Sequence, residues 1–179
     1  SDREKALSLK KIAERLGSRV YLHKVNFTKP STVKKFIKIS TKQLGGIDVF
    51  IHTAAIFKKT LFMKTVEGDW DNIFDINLKT SFFLAQEVAS SMKKNGGRMI
   101  FFSDVAATRL YKKYLPYSIS KAAINVMVKG LAKILPSNIF ICAISPYIVE
   151  NTSRVAKIVK SIIASKNIAS GSILEIDGE

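Results

Sequence analysis

Residues 98–124 read RMIFFSDVAATRLYKKYLPYSISKAAI. The stretch opens on a short apolar run, Arg98 to Phe102, that reads as a strand. Ser103 and Asp104 end the run. Pro116 then suits the first turn of a helix running to about Leu135. Tyr117 opens that helix, and Lys121 lies one turn further on the same face. In a chain with five tyrosines and abundant lysine, about 0.6 such pairs arise by chance. The pair therefore needs support from its surroundings.

Outward from this stretch, short β-rich runs alternate with helical ones. Residues 2–17 predict an amphipathic helix closed by Gly17, and RVYLHKV (19–25) predicts a strand. Residues 31–46 predict a helix with Ser31 or Thr32 near its start and two glycines at its end. IDVFIHTAA (47–55) predicts a buried strand and its exit. Residues 66–97 predict one long helix stopped by Gly96 and Gly97. NIFICAIS (138–145) is a strand, RVAKIVKSIIAS (154–165) a helix, and SILEID (172–177) a last strand. Such alternation implies crossover units and a parallel sheet covered on both faces.

Ligands in such sheets bind beyond the carboxyl ends of the strands. Asn26, the run His52-Thr53-Ala54-Ala55, the pair Ser103-Asp104 and the pair Pro146-Tyr147 all fall there. Tyr117 projects toward the same edge, which lifts the Tyr117–Lys121 pair above chance. On the long helix Trp70, Ile73, Phe74 and Asn77 share a stripe, so an amide sits on an apolar face. Burying it without partners costs about 1–3 kcal/mol.

The chain has 179 residues, 47% of them hydrophobic, enough for one compact domain. No apolar run has transmembrane length and no start resembles a secretory signal. Cys142 lies in an apolar run and reads as a small buried residue, which leaves no disulfide and no cysteine metal cluster. His52 lacks a second ligand at a suitable spacing, so no metal site is expected. These features favour a cytoplasmic protein. The net charge of +15 is mostly lysine scattered along helices. It reads as solvated surface rather than a nucleic-acid or membrane footprint.

In order along the chain, GGIDVFIHTAA, DWDNIFDINLKTSFFLAQ, YSISKAA, ISPYIV and SGSILEIDGE resemble the motifs of short-chain dehydrogenases/reductases. The resemblance spans residues 1–179 and implies a Rossmann-like α/β fold, a doubly wound parallel sheet in three α/β/α layers. It implies Tyr117 as proton donor, Lys121 as its partner, and Asn77 as the residue placing a water that relays protons to Lys121. Lys121 and the oxidised nicotinamide are together expected to lower the phenol's pKa. Cofactor contacts are implied for Asn26, Thr53, Ala54, Ala55, Tyr117, Lys121, Pro146 and Ile148. Asp104, where most of the family has serine, resembles the pteridine reductase branch, which includes dihydrofolate and dihydromonapterin reductases. Asp104, Tyr117 and Tyr147 are then the substrate contacts. The open alternative is that Ser103 slips into the serine role and Asp104 is a solvated turn residue.

The chain departs from the family where Asn-Asn-Ala-Gly is His52-Thr53-Ala54-Ala55, where the glycine of the Pro-Gly turn is Tyr147, and where Asn26 replaces an aspartate. The Gly-rich phosphate turn, the first two strands and a full substrate loop have no counterpart in the sequence. The expected fold is thus one partial domain over residues 1–179. Two missing strands leave roughly 14 Å between RVYLHKV and IDVFI. The implied activity is reduction of a C=N or C=O bond with NADP(H), preferred to NAD(H) by analogy, in a homotetramer or homodimer. The alternatives are a 3-oxoacyl-carrier-protein reductase or other carbonyl reductase, and a non-catalytic Rossmann-like binding module.

Overall fold

The computed structural model describes residues 2–147 and 152–176. Four parallel strands form one sheet in the order β1 (Val49–His52), β2 (Gly97–Phe102), β3 (Ile139–Pro146) and β4 (Ile173–Ile176). Val49 pairs with Arg98, Gly97 with Ile139 and Ala143 with Ile173. Seven α-helices are described: α1 (Asp2–Arg15), α2 (Pro30–Leu44), α3 (Glu67–Phe74), α4 (Thr80–Met92), α5 (Ala106–Arg109), α6 (Leu115–Ile134) and α7 (Thr152–Ala164).

The period-two geometry of the central strands sorts side chains to two faces. Met99 and Phe101 of β2, with Ile141 and Ala143 of β3, join a core shared with Val33 of α2, Leu84 and Val88 of α4, and Ile124 of α6. Ile100, Cys142 and Ile144 point the other way, against Ile162 of α7. Burial on both faces is why these strands are near-continuous apolar runs. The Cys142 thiol is free and buried there, and burial pushes its pKa up to about 11. The expected three-layer α/β/α arrangement is thus what the chain builds.

Local chemistry sets several boundaries. Pro30 and Pro116 sit in the first turns of α2 and α6. Gly45 caps α2 at φ 81°, its N–H on the Thr41 carbonyl. Gly97 starts β2 where a Cβ would meet Met92 Sδ at 2.6 Å.

Three expectations need correction. The strand at 49–52 is not buried: it forms an edge of the sheet, with Val49 and Ile51 37% and 42% exposed. Residues 19–25 are not a strand. They form no β-ladder among the described residues, and a strand exists only where a neighbour takes its N–H and C=O groups. The segment is tied down by side chains instead. Lys10 Nζ donates to the Val20 carbonyl at 2.6 Å, and His23 Nε2 meets Gln43 Oε1 at 2.7 Å. The helix expected over 66–97 is also not continuous. A π-helical turn, Asp75–Lys79, separates α3 from α4 and carries Asn77 at its centre. Such turns insert one residue and rotate the side chains that follow.

Candidate active site

The carboxyl end of β2 delivers the first groups. Asp104 Oδ1 accepts the Ala106 N–H at 2.7 Å, which anchors the carboxylate at the start of α5. Its Oδ2 accepts the Tyr117 hydroxyl at 2.7 Å. Ser103 turns inward and donates to the Lys121 carbonyl at 3.2 Å. The carboxylate, and not the Ser103 hydroxyl, is therefore the group that meets the phenol.

Tyr117 and Lys121 are 5% and 4% exposed. Lys121 Nζ donates to the Phe102 carbonyl at 2.7 Å and lies 5.6 Å from the centre of the Tyr117 ring. Burial pulls the ammonium down to about 8, with the Asp104 charge opposing that shift. The phenol moves the other way. Burial, the hydrogen bond to Asp104 and the Asp104 charge hold its pKa well above the ordinary phenol range. Among the protein's own groups it is burial and Asp104, not Lys121, that set the direction. A carboxylate in direct contact makes a second negative charge costly, and burial magnifies the penalty.

Asn77 is buried in the π-helical turn. Its Oδ1 accepts the Ile56 N–H at 2.7 Å, and its Nδ2 donates to the Ile56 carbonyl at 3.1 Å and to Ser120 Oγ at 3.0 Å. Ser120 in turn donates to the Tyr117 carbonyl at 2.7 Å. The amide thus staples the exit of β1 to the first turn of α6. Phe57, just past that staple, stacks on Tyr114 at 4.2 Å and meets the Tyr117 ring edge-on at 4.7 Å.

His52 ends β1 among aromatic rings, stacked on Phe50 and edge-on to Phe101 and Phe27. It is 7% exposed and its Nε2 has no partner. Burial, then the nearby Lys121 charge, lower its pKa to about 4, so the ring is neutral. Thr53 and Ala54 follow along a cleft of about 650 Å³ between residues 19–21 and β1. Among the described residues no group of three or more His, Cys, Asp or Glu side chains is placed to hold a metal ion.

Residues 1–176 match the family described as enoyl-(acyl carrier protein) reductase. The chain belongs to the short-chain dehydrogenases/reductases. The 3-oxoacyl-acyl-carrier-protein reductase FabG of Thermotoga maritima is 32% identical over 145 residues, 80% of this chain and 59% of that protein. The chain thus spans less than two thirds of that relative's length. A short-chain dehydrogenase/reductase from Serratia marcescens superposes with a TM-score of 0.90 at 20% identity, covering 98% of this chain and 82% of the other. A short chain dehydrogenase from Burkholderia cenocepacia, solved in complex with NADP, gives 0.89 at 22% identity over 98% and 82%. At these identities the two structures speak for the fold.

Of the residues singled out from sequence in this short-chain dehydrogenase/reductase, Tyr117, Asp104 and Lys121 converge directly, and Asn77 joins them through Ser120. Pro146 is buried at the end of β3, its carbonyl accepting the Val105 N–H at 3.4 Å. Tyr147 is 39% exposed and lies under the Arg109 guanidinium, 4.6 Å from its ring centre. Asn26 is not brought to Tyr117. Its Oδ1 takes the Thr28 N–H and hydroxyl, and it lines a separate cavity with Phe27 and Lys35. Ala55 is exposed beside Thr53 and Ala54. Ile148 lies outside the described residues. Sequence reasoning missed Ser120, Phe57, Tyr114 and Arg109. Ser120 stands inside the Tyr-x-x-x-Lys run and could have been found from its helix position facing Asn77. The ring contacts of Phe57 carry no local signal.

Proposed function

We propose that this chain delivers the proton in an NADP(H)-dependent reduction of a C=N or C=O bond, with a pteridine or dihydrofolate-type ring as substrate. The contact that carries this reading is the 2.7 Å hydrogen bond from Tyr117 to Asp104. A phenol has one O–H and can donate it once. While Asp104 is ionised and unoccupied, it accepts that hydrogen bond. A substrate bearing its own N–H donors can take over the carboxylate and free the phenol to face the reacting atom. An aminopterin edge has such donors; a ketone or thioester does not.

The raised pKa keeps Tyr117 protonated at neutral pH. The proton leaves when the substrate heteroatom becomes strongly basic during reduction. The nearby Lys121 ammonium stabilises the phenolate that remains. Asn77 acts through Ile56 and Ser120, fixing the backbone on both sides of the reacting position. Ammonium has three donors, and Lys121 spends one on Phe102. That surplus fits the ribose end of a nicotinamide cofactor, with Tyr117, Thr53, Ala54, Ala55 and Pro146 beside it and Asn26 toward the adenine by family resemblance. When bound, the cofactor supplies the hydride.

A second reading, a 3-oxoacyl-carrier-protein reductase, is favoured by the FabG relatives at 27–32% identity. NADPH oxidation with dihydrobiopterin, dihydrofolate and an acetoacetyl thioester separates the two. Turnover of the pterins supports the first. Turnover of the thioester alone rejects it. No turnover together with no NADPH binding favours the non-catalytic module.

Self-association fits one further surface. Phe82 of α4 and Val126 and Ile134 of α6 are 45%, 71% and 76% exposed around an apolar hollow of about 770 Å³. Contiguous apolar surface of this kind marks an interface. We read it as the contact of a homodimer or homotetramer, and residues 1–179 as one Rossmann-like domain. No helix among the described residues is long and apolar enough to cross a membrane; the cytoplasmic assignment remains part of this proposal.

A further inference from the structure

We propose that the loop joining α5 to α6 is a binding site for a carboxylate-bearing tail on the substrate, with Arg109 as its anchor. The inference rests on the pterin reading above and names what hangs from the ring.

Arg109, Lys112 and Lys113 put three cations within five residues. None of them makes an ion pair among the described residues. Arg109 ends α5, five residues after Asp104, with its N–H on the Val105 carbonyl at 2.8 Å. Its guanidinium carbon lies over the Tyr147 ring, 4.6 Å from the ring centre. That contact spends none of the guanidinium's N–H donors on a hydrogen-bond acceptor, and a carboxylate can meet such a fork with two parallel hydrogen bonds.

The backbone holds this loop in an unusual shape. Leu110 has φ 52° and ψ 97°, the one non-glycine residue at positive φ among those described. A leucine there is strained, and such strain persists only where the surroundings impose it. Here they do. Ser118 Oγ accepts the Tyr111 N–H at 3.2 Å, the Thr60 N–H donates to the Lys113 carbonyl at 2.8 Å, and Phe57 stacks on Tyr114. The loop is thus clamped at both ends to groups that also hold Tyr117. The Tyr111 phenol, pushed up by burial, Asp104 and Tyr147 and drawn down by Arg109, feels all three at once. Arg109 thus acts on the same phenol as Asp104, with Lys112 and Lys113 three and four residues further along the chain. They would draw in a ligand whose ring goes to Asp104 and whose anionic tail trails outward.

The test is calorimetric titration of the full chain, with NADP⁺ present, by two ligands sharing one ring. Folate carries carboxylates on its tail; biopterin has a neutral one. The wild-type chain should bind folate on the order of tenfold more tightly. Arg109→Ala should erase most of that preference and leave biopterin binding unchanged, and Arg109→Lys should retain part of it. Added salt should shrink the preference, because these side chains are solvent-exposed. Equal affinity for the two ligands in the wild type overturns the site while leaving the ring reading intact. So does Arg109→Ala that binds folate as the wild type does. Failure to bind either pterin overturns both. Rim variants that weaken only reduction of an acidic carrier-protein thioester would make the loop a protein-docking face and end the proposal.

Discussion

Tyr117 donates its one hydroxyl hydrogen bond to Asp104 across 2.7 Å, and that contact runs from the first turn of α6 back to the exit of β2. Removing the phenol oxygen should cost turnover at least about 100-fold while leaving cofactor binding largely intact. NADPH oxidation and NADPH titration of Tyr117→Phe measure the two separately. Near-normal turnover refutes the assigned acid.

Asp104→Asn keeps the shape and removes the charge. The phenol should then titrate at lower pH than in the wild type, because two of the causes raising it involve Asp104. Ultraviolet absorbance titration shows this, with Tyr117→Phe as the blank for the wild type and the Asp104→Asn/Tyr117→Phe double variant as the blank for Asp104→Asn, since Asp104 also raises Tyr111. An unchanged titration would mean that burial alone sets the value.

His52 has a folded pKa of about 4 against 6.5 when exposed. Above pH 6.5 the ring is neutral in both states. As pH falls from 6.5 toward 4 the unfolded chain takes up a proton and the folded chain does not, so stability is lost, on the order of 3 kcal/mol at most. His52→Phe keeps a ring in the aromatic stack and should flatten that slope. Lys121, lowered from 10.5 to about 8, acts at the other end. Between those values the unfolded chain keeps the proton that the folded chain has released, so this group's contribution to stability rises with pH. Urea unfolding across pH, compared with Lys121→Met, tests it.

Asn77→Ala should destabilise the chain by about 2–4 kcal/mol, since it leaves both backbone groups of Ile56 without their partner. Ser120→Ala should cost less, about 1 kcal/mol, because Ile56 keeps its amide. Equal losses in urea midpoints would deny Asn77 its stapling role.

Val126→Asp places a charge on the exposed apolar face of α6 without touching the core, so the monomer should keep its fold. Sedimentation velocity should show a smaller assembly than the wild type. An unchanged sedimentation coefficient would move the interface elsewhere.

Much of the fold is written locally. The apolar runs at 98–102 and 139–144, the prolines at helix starts and the glycines at helix ends mark the strands and helices that form there. Strand–helix alternation then leaves little but a parallel sheet, whose carboxyl edge gathers Asp104, Tyr117 and Lys121. Tertiary packing settled what local pattern left open. It chose Asp104 over Ser103 as the partner of the phenol, because the side-chain directions at the end of β2 depend on how α6 docks there. It turned Asn77 through a π-helical turn onto Ile56, and it held Leu110 at positive φ. Residues 19–25 had strand composition and no strand, since a ladder needs a neighbour that composition cannot supply. It also set the direction of the Tyr117 shift. Spacing places an ammonium one turn away, but distance and burial, not spacing, determine which neighbour's charge prevails.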